Sequence, residues 1–164
     1  LSATAPRERG SILLPKERIG QLKELAALEG CTATEYLEEL IRVRSRKQGI
    51  GLPGFTIGHV EGGNLLIAFE QPSFFPLTEL TVEEARRIAR DIRALLKGGP
   101  RVRPTFETDT GHLIEVYRQA KGIVLCRYTD QAKGKQYKKS FTESVARDVV
   151  DWLEAGADRV EATQ

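Results

Sequence analysis

The chain contains no methionine, two cysteines, two histidines and one tryptophan in 164 residues. Each scarcity closes off a class of function. Cys31 and Cys126 stand far apart in unrelated contexts, so neither a disulfide framework nor a metal-binding spacing is available, and both read as buried thiols. His59 and His112 lie beside glycines in turn-like sequence, at no ligand spacing to a cysteine or to each other, and no metal or cofactor is expected. No apolar run approaches the roughly 20 residues of a membrane span, and none at the N-terminus reads as a secretory signal. The expected location is cytoplasmic, with no membrane partner. Without a methionine, Leu1 reads as other than the native start. The glycine pairs in "EGGN" and "KGG" lack the lysine-hydroxyl pair of a phosphate loop and the spacing of a dinucleotide fingerprint. No nucleophile, base and orienting group can be named together, so the chain reads as a non-enzyme.

What is present is a soluble, folded composition, 40% apolar and 29% charged, with a net charge of only +2. The distribution of charge is more informative than its sum. Leu1–Ile50 carries nine Lys/Arg against seven Asp/Glu, whereas Arg118–Lys139 holds seven basic residues against the single acid Asp130. Any surface for a polyanion is therefore local.

The stretch "SILLPKERIGQLKELAAL" (Ser11–Leu28) places a few strand-like residues before a proline and then enters a helix pattern. The predicted helix covers Lys16 to Glu29, with Ile19, Leu22, Leu25 and Ala26 on one face, and Gly30 supplies the left-handed stop. Thr32 or Thr34 caps a second helix that carries Leu37, Leu40 and Ile41 to about Lys47. Two short helices and a strand bury too little apolar surface for a stable monomer. The strand has no hairpin partner nearby, so its partner lies elsewhere in the chain or in another chain.

Residues Arg9 to Lys47, "LP" at the strand end and "GCTATE" at the helical turn, resemble the ribbon-helix-helix family of repressors, the Arc and MetJ class. The resemblance implies a homodimer in which the strand pairs antiparallel with its copy and the second helices cross in the dimer core. It further implies that the two-stranded ribbon enters the major groove of double-stranded DNA. Alternation along the strand then turns Ile12 and Leu14 inward and Arg9, Ser11 and Leu13 outward as base readers. Arg9 suits guanine and Ser11 several bases. Leu13 departs from the polar residue usual in the family, and is either a contact to a thymine methyl or a plain exposed leucine. Thr32 and Thr34 are candidates for phosphate contact beside their capping role. Arg42, Arg44, Arg46 and Lys47 suit a helix C-terminus.

Residues 48–54, "QGIGLPG", read as a linker. The α+β region that follows, 55–160, looks duplicated into units 55–97 and 104–157, each strands followed by a helix. "GNLLIAFEQ" (Gly63–Gln71) aligns with "GHLIEVYRQ" (Gly111–Gln119), and "LTVEEARRIARDI" (Leu80–Ile92) with "FTESVARDVVDWL" (Phe141–Leu153). Thr81 with Glu84 predicts a capping box, and Ala85, Ile88, Ala89 and Ile92 a buried stripe. Thr142 caps the second helix, with Val145, Val149, Trp152 and Leu153 as its stripe. Thirteen additional residues in the second unit read as one added hairpin.

In this region Tyr117, Arg118, Arg127, Tyr128, Lys135, Tyr137, Lys138 and Lys139 interleave aromatic rings with cations, the arrangement that holds single-stranded nucleic acid. "KKSFTESVARDVVDWL" is also similar to the Whirly and related transcriptional-coactivator class of single-strand DNA binders. The same pattern equally describes core tyrosines and edge-protecting lysines. The expected function is a homodimeric, repressor-like DNA-binding transcriptional regulator with a plasmid or phage role. Its alternatives are an antitoxin or other protein-interaction factor with autoregulatory DNA binding, and a single-stranded-DNA binder using residues 55–160.

Overall fold

The computed structural model describes residues 10–60, 62–69, 75–120, 122–130 and 135–163, with side chains described except at 59, 60, 75–78, 126, 128–130 and 135. It is a mixed α+β chain that divides after Gly51 into two units, a break that falls inside the 48–54 segment.

In the first unit, helix α1 spans Lys16–Leu28 and α2 spans Ala33–Lys47. Pro15, at φ −54° and ψ 146°, is the non-helical residue before α1, and its carbonyl accepts from the amides of Arg18 and Ile19. Gly30 ends α1 at φ +67°, a conformation that costs a side-chain-bearing residue energy. The Cys31 amide then reaches back to the Ala26 carbonyl and the Gly30 amide to that of Ala27, the paired bonds of a glycine-terminated helix end. Thr32, rather than Thr34, is the cap of α2: its hydroxyl accepts from the Glu35 amide at 3.2 Å, and Glu35 answers at the Thr32 amide at 2.8 Å.

These local signals are all satisfied, yet the unit has almost no interior. Ala26 is its one buried residue among those described. Ten of the twelve large apolar side chains exposed in the described residues belong to it, including Ile12 (69% exposed), Leu13 (95%), Leu40 (47%) and Ile41 (51%). Residues 10–15 form no strand and pair with none of the described strands, so the expected strand has no partner here.

The second unit opens with strands β1 (Phe55–Val60), β2 (Asn64–Phe69) and β3 (Phe75–Leu80), an antiparallel sheet in that order, followed by α3 (Val82–Leu96). Strands β4 (Phe106–Glu107), β5 (Leu113–Gln119), β6 (Gly122–Asp130) and β7 (Lys135–Thr142) form a second antiparallel sheet, also in chain order, followed by α4 (Glu143–Glu161). The element order is thus strands-then-helix twice. "GIVLCRYTD" and "KQYKKSF" form the antiparallel hairpin β6–β7, as expected, though the thirteen extra residues add a net one strand, because the half from β1 to α3 already has a strand feeding its helix. Counted back from the two threonine caps, β3 matches β7, β2 matches β6, and the pairing of Gly63–Gln71 with Gly111–Gln119 gives way to one with β6.

The helix alignment transfers position by position. Ala85, Ile88, Ala89 and Ile92 are fully buried, and the residues 61 positions later, Ala146, Val149, Val150 and Leu153, are buried too. This corrects the expected second stripe: Val145 and Trp152 are only half-buried, since the inward face passes one residue further along. Both helices pack into one apolar core with the inner faces of both sheets. They run antiparallel: Arg86 near the start of α3 holds Glu161 at the end of α4 through two 2.7 Å bonds, and Arg93 holds Glu154 at 2.7 Å. Phe69 links the sheets, stacking on Phe55 at 4.8 Å and meeting Phe141 at 5.1 Å.

Gly156 of α4 lies where a Cβ would stand 2.8 Å from Leu65 Cδ2 and 3.3 Å from Ile57 Cδ1. Leu65 is fully buried and has little room to retreat. Gly156→Val is therefore expected to destabilise the chain by about 1–3 kcal/mol through overpacking, read as a lower urea midpoint at unchanged slope, with Gly156→Ala showing a smaller loss.

Candidate nucleic-acid interface

The β5–β6–β7 register sorts the basic, aromatic-rich segment onto two faces. Tyr117 pairs with Val124, which pairs with Ser140; Glu115 pairs with Cys126, which pairs with Lys138. Those rows alternate with Val116–Leu125–Lys139 and Ile114–Arg127–Tyr137, whose apolar members are buried in the core. Because side chains alternate faces along a strand, Tyr117 and Lys138 belong to the outer face. Arg118, Arg127, Tyr137 and Lys139 belong to the helix-facing side. Tyr128 registers with Gln136 and Lys135 with Asp130, and the side chains of both Tyr128 and Lys135 lie outside the described residues.

The outer face presents exposed Lys138 and Gln136, half-exposed Tyr117, Glu115 and Ser140, and buried Val124 between the Tyr117 and Ser140 positions. Val102 extends the Tyr117 row by bridging to it, and is 55% exposed. This is a shallow apolar and aromatic strip with one described lysine and one carboxylate.

The inner-face cations do different work. Arg118 donates to the Leu95 carbonyl at 2.9 Å and pairs with Glu143 at 2.9 Å, tying the end of α3 to the first turn of α4. Its guanidinium is committed to the fold, which removes it from the expected contact set. Arg127 is 6% exposed, with its guanidinium 5.2 Å from the Tyr137 ring centre. Lys139 is half-buried with Nζ 5.7 Å from the Phe69 ring centre. Burial lowers the pKa of both Arg127 and Lys139 from its ordinary value. An extended strand of nucleic acid on the outer face would meet neither.

In the first unit, Arg9 lies outside the described residues, while Ser11 and Leu13 are exposed. Thr34 is exposed in the first turn of α2. The Thr32 hydroxyl donates to Glu35 Oε2 at 2.8 Å while accepting from the Glu35 amide. Glu35 thus puts a carboxylate at the helix start, where the sequence suggested a phosphate, so Thr34 is the freer of the two hydroxyls. Arg42 is paired with Glu39 at 2.7 Å and Arg44 is exposed.

Two residues have roles here that carried no sequence signal. Glu84, beyond its capping bonds with Thr81, accepts from the Asp109 amide at 2.6 Å and so fixes the turn before β5. In that turn the His112 amide donates to Thr108 Oγ1 at 3.1 Å, while His112 Nδ1 is buried without a partner. Among the described residues no group of three His, Cys, Asp or Glu side chains could hold a metal ion, and no helix is long and apolar enough to cross a membrane. Comparison with protein-family models, with curated proteins and with solved structures yields no match.

Burial, with the charge of Arg127 adding to it, holds the His112 imidazole below its ordinary pKa. The folded state then binds the His112 proton less readily than the unfolded chain. Its contribution to stability is complete above the unfolded pKa of about 6.5 and is lost as pH falls from there through the lower folded value. Between pH 7.5 and 5, His112→Gln is expected to flatten part of the fall in melting temperature seen for the unaltered chain.

Proposed function

We propose that the protein is a homodimeric DNA-binding regulator, with residues 9–47 forming the ribbon-helix-helix dimer and the ribbon residues Arg9, Ser11 and Leu13 facing the major groove. The observation that carries this reading is the missing interior of the first unit. Its helices are capped at α2 and glycine-terminated at α1 as firmly as any in the chain, yet Ile12, Leu40 and Ile41 remain in water. A second copy supplies the apolar partner for all of them at once, and the segment ending at Pro15, which pairs with none of the described strands, supplies backbone for a two-stranded ribbon. The exposed Ser11 hydroxyl and Leu13 side chain are then free for base edges.

Residues 55–160 serve a second interaction in this reading. The outer face of the four-stranded sheet, with Tyr117, Val102 and Lys138, favours single-stranded nucleic acid through ring stacking over a partner that reads base edges. A protein-binding role, as in an antitoxin, would use the same strip without the salt dependence of phosphate contacts.

Leu40→Lys combined with Ile41→Lys removes two interface side chains from each of two copies, at about 1.5–3 kcal/mol per buried side chain, and is expected to raise the dimer dissociation constant at least 100-fold. Sedimentation equilibrium measures it, and an unaltered dimer would refute the assignment. Arg9→Ala should cost about 1–3 kcal/mol on a specific duplex site and relax sequence preference there. Fluorescence anisotropy of the full chain on duplex and single-stranded DNA across a salt series separates the two readings. A Lys138→Ala substitution should lower only the single-strand affinity.

A further inference from the structure

Among the described residues the second unit has four sheet edges, and three of them carry a device that hinders pairing with another chain. β3 contains Pro76 and is bulged against β2 between Leu65 and Ile67, with Glu79 at φ +58°. β4 is two residues long. β7 carries Lys135, Lys138 and Lys139. Proline, bulges, short length and lysine are the means by which an edge strand is kept from templating a further strand.

The fourth edge, β1, has none of them. Its residues, Phe55, Thr56, Ile57, Gly58, His59 and Val60, include no proline, lysine, arginine or carboxylate, and they run in unbroken register along β2. Among the described strands β1 pairs with β2 alone. Every second residue of an edge strand turns its N–H and C=O away from its neighbour, so one row of backbone groups on β1 meets no described strand. Gly58 is a second, independent sign. It takes no left-handed φ, and a Cβ there would meet only Leu66 Cβ, at an ordinary 3.9 Å. The described packing of this chain does not call for a glycine, and a glycine inside a strand often marks the close approach of another backbone.

Charge and tether point to the occupant. An edge without lysine, arginine or carboxylate meets its own copy with no like charges opposed, and a two-fold axis makes the same strand on each copy the antiparallel partner of the other. Only residues 48–54 separate Lys47 of α2 from Phe55 of β1, at most about 25 Å of chain. A dimer formed by the first unit therefore holds two β1 strands at high effective concentration.

We propose that β1 is a dimerisation edge, which pairs antiparallel with β1 of a second copy and joins the two three-stranded sheets into one. The pairing deepens the homodimer reading and rests on it for the tether. It adds a contact surface that lies wholly in the second unit.

The test is residue-resolved hydrogen exchange on the full chain, with sedimentation equilibrium in parallel. In the dimer, the β1 amides that face away from β2 are expected to exchange at least about tenfold more slowly than in the diluted monomer, while β2 amides keep their rates. Gly58→Lys puts a cation on each of the two edges and should abolish that protection, raising the dimer dissociation constant about tenfold or more. Gly58→Val, which enters the same space without charge, should keep both properties. Slow β2 exchange in Gly58→Lys shows that its sheet has folded; should it not fold, the concentration dependence of β1 exchange in the unaltered chain decides the matter. A dimeric unaltered chain whose outward β1 amides exchange at the monomer rate, or protection that survives in Gly58→Lys, would overturn the proposal and leave the first-unit dimer standing. Conversely, a dimer that survives Leu40→Lys with Ile41→Lys but is dissolved by Gly58→Lys would overturn the first-unit reading and uphold the β1 pairing.

Discussion

The second unit depends on the seam between α3 and α4. Two stripes of small and branched apolar residues, Ala85–Ile88–Ala89–Ile92 and Ala146–Val149–Val150–Leu153, are buried with the inner faces of two sheets in one core. The alanines and Gly156 keep the helices close to what they pack on, and the arginine-carboxylate bonds at the rim set their direction. A change in the seam would reach strands in both halves of the unit, including β6, where Arg127 is held, and β5, where Arg118 is tied to both helices.

The parts of this architecture that were legible in the sequence are those governed by local rules. Thr32, Thr81 and Thr142 announce helix starts because a hydroxyl before an amphipathic run has one obvious use, and in all three the hydroxyl accepts from the amide three residues on. Gly30 and the proline before α1 are equally direct. The α3 stripe was legible because its small and branched apolar residues fall on a single face. In the α4 stripe Val149 and Leu153 are buried as read, while Val145 and Trp152 are not; both are large and apolar, whereas Ala146, Gly156 and Ala157 on the buried face carry little hydrophobic signal.

What was not legible depends on strand register and on contacts far apart in sequence. The eight basic and aromatic candidates between Tyr117 and Lys139 form one compositional cluster, but alternation along β5, β6 and β7 divides those with described side chains between opposite faces. Nothing in the composition says that Arg118 answers the Leu95 carbonyl or that Arg127 is buried. In the first unit the converse holds: the local signals of Pro15 to Lys47 are read easily, and yet they leave the unit with Ala26 as its one buried residue among those described.

The two strand-and-helix halves of the second unit are not stacked as independent repeats. Arg86 finds Glu161 seventy-five residues away, and Gly156 closes on Leu65 and Ile57 of the opposite half. Each helix is thus completed by material from the other end of the unit. A ribosome that has released only β1 to α3 has released an amphipathic helix and a sheet whose apolar faces still lack their counterpart. Folding of this unit must await α4, the last of its elements to be made, and until then the exposed apolar faces depend on protection from aggregation.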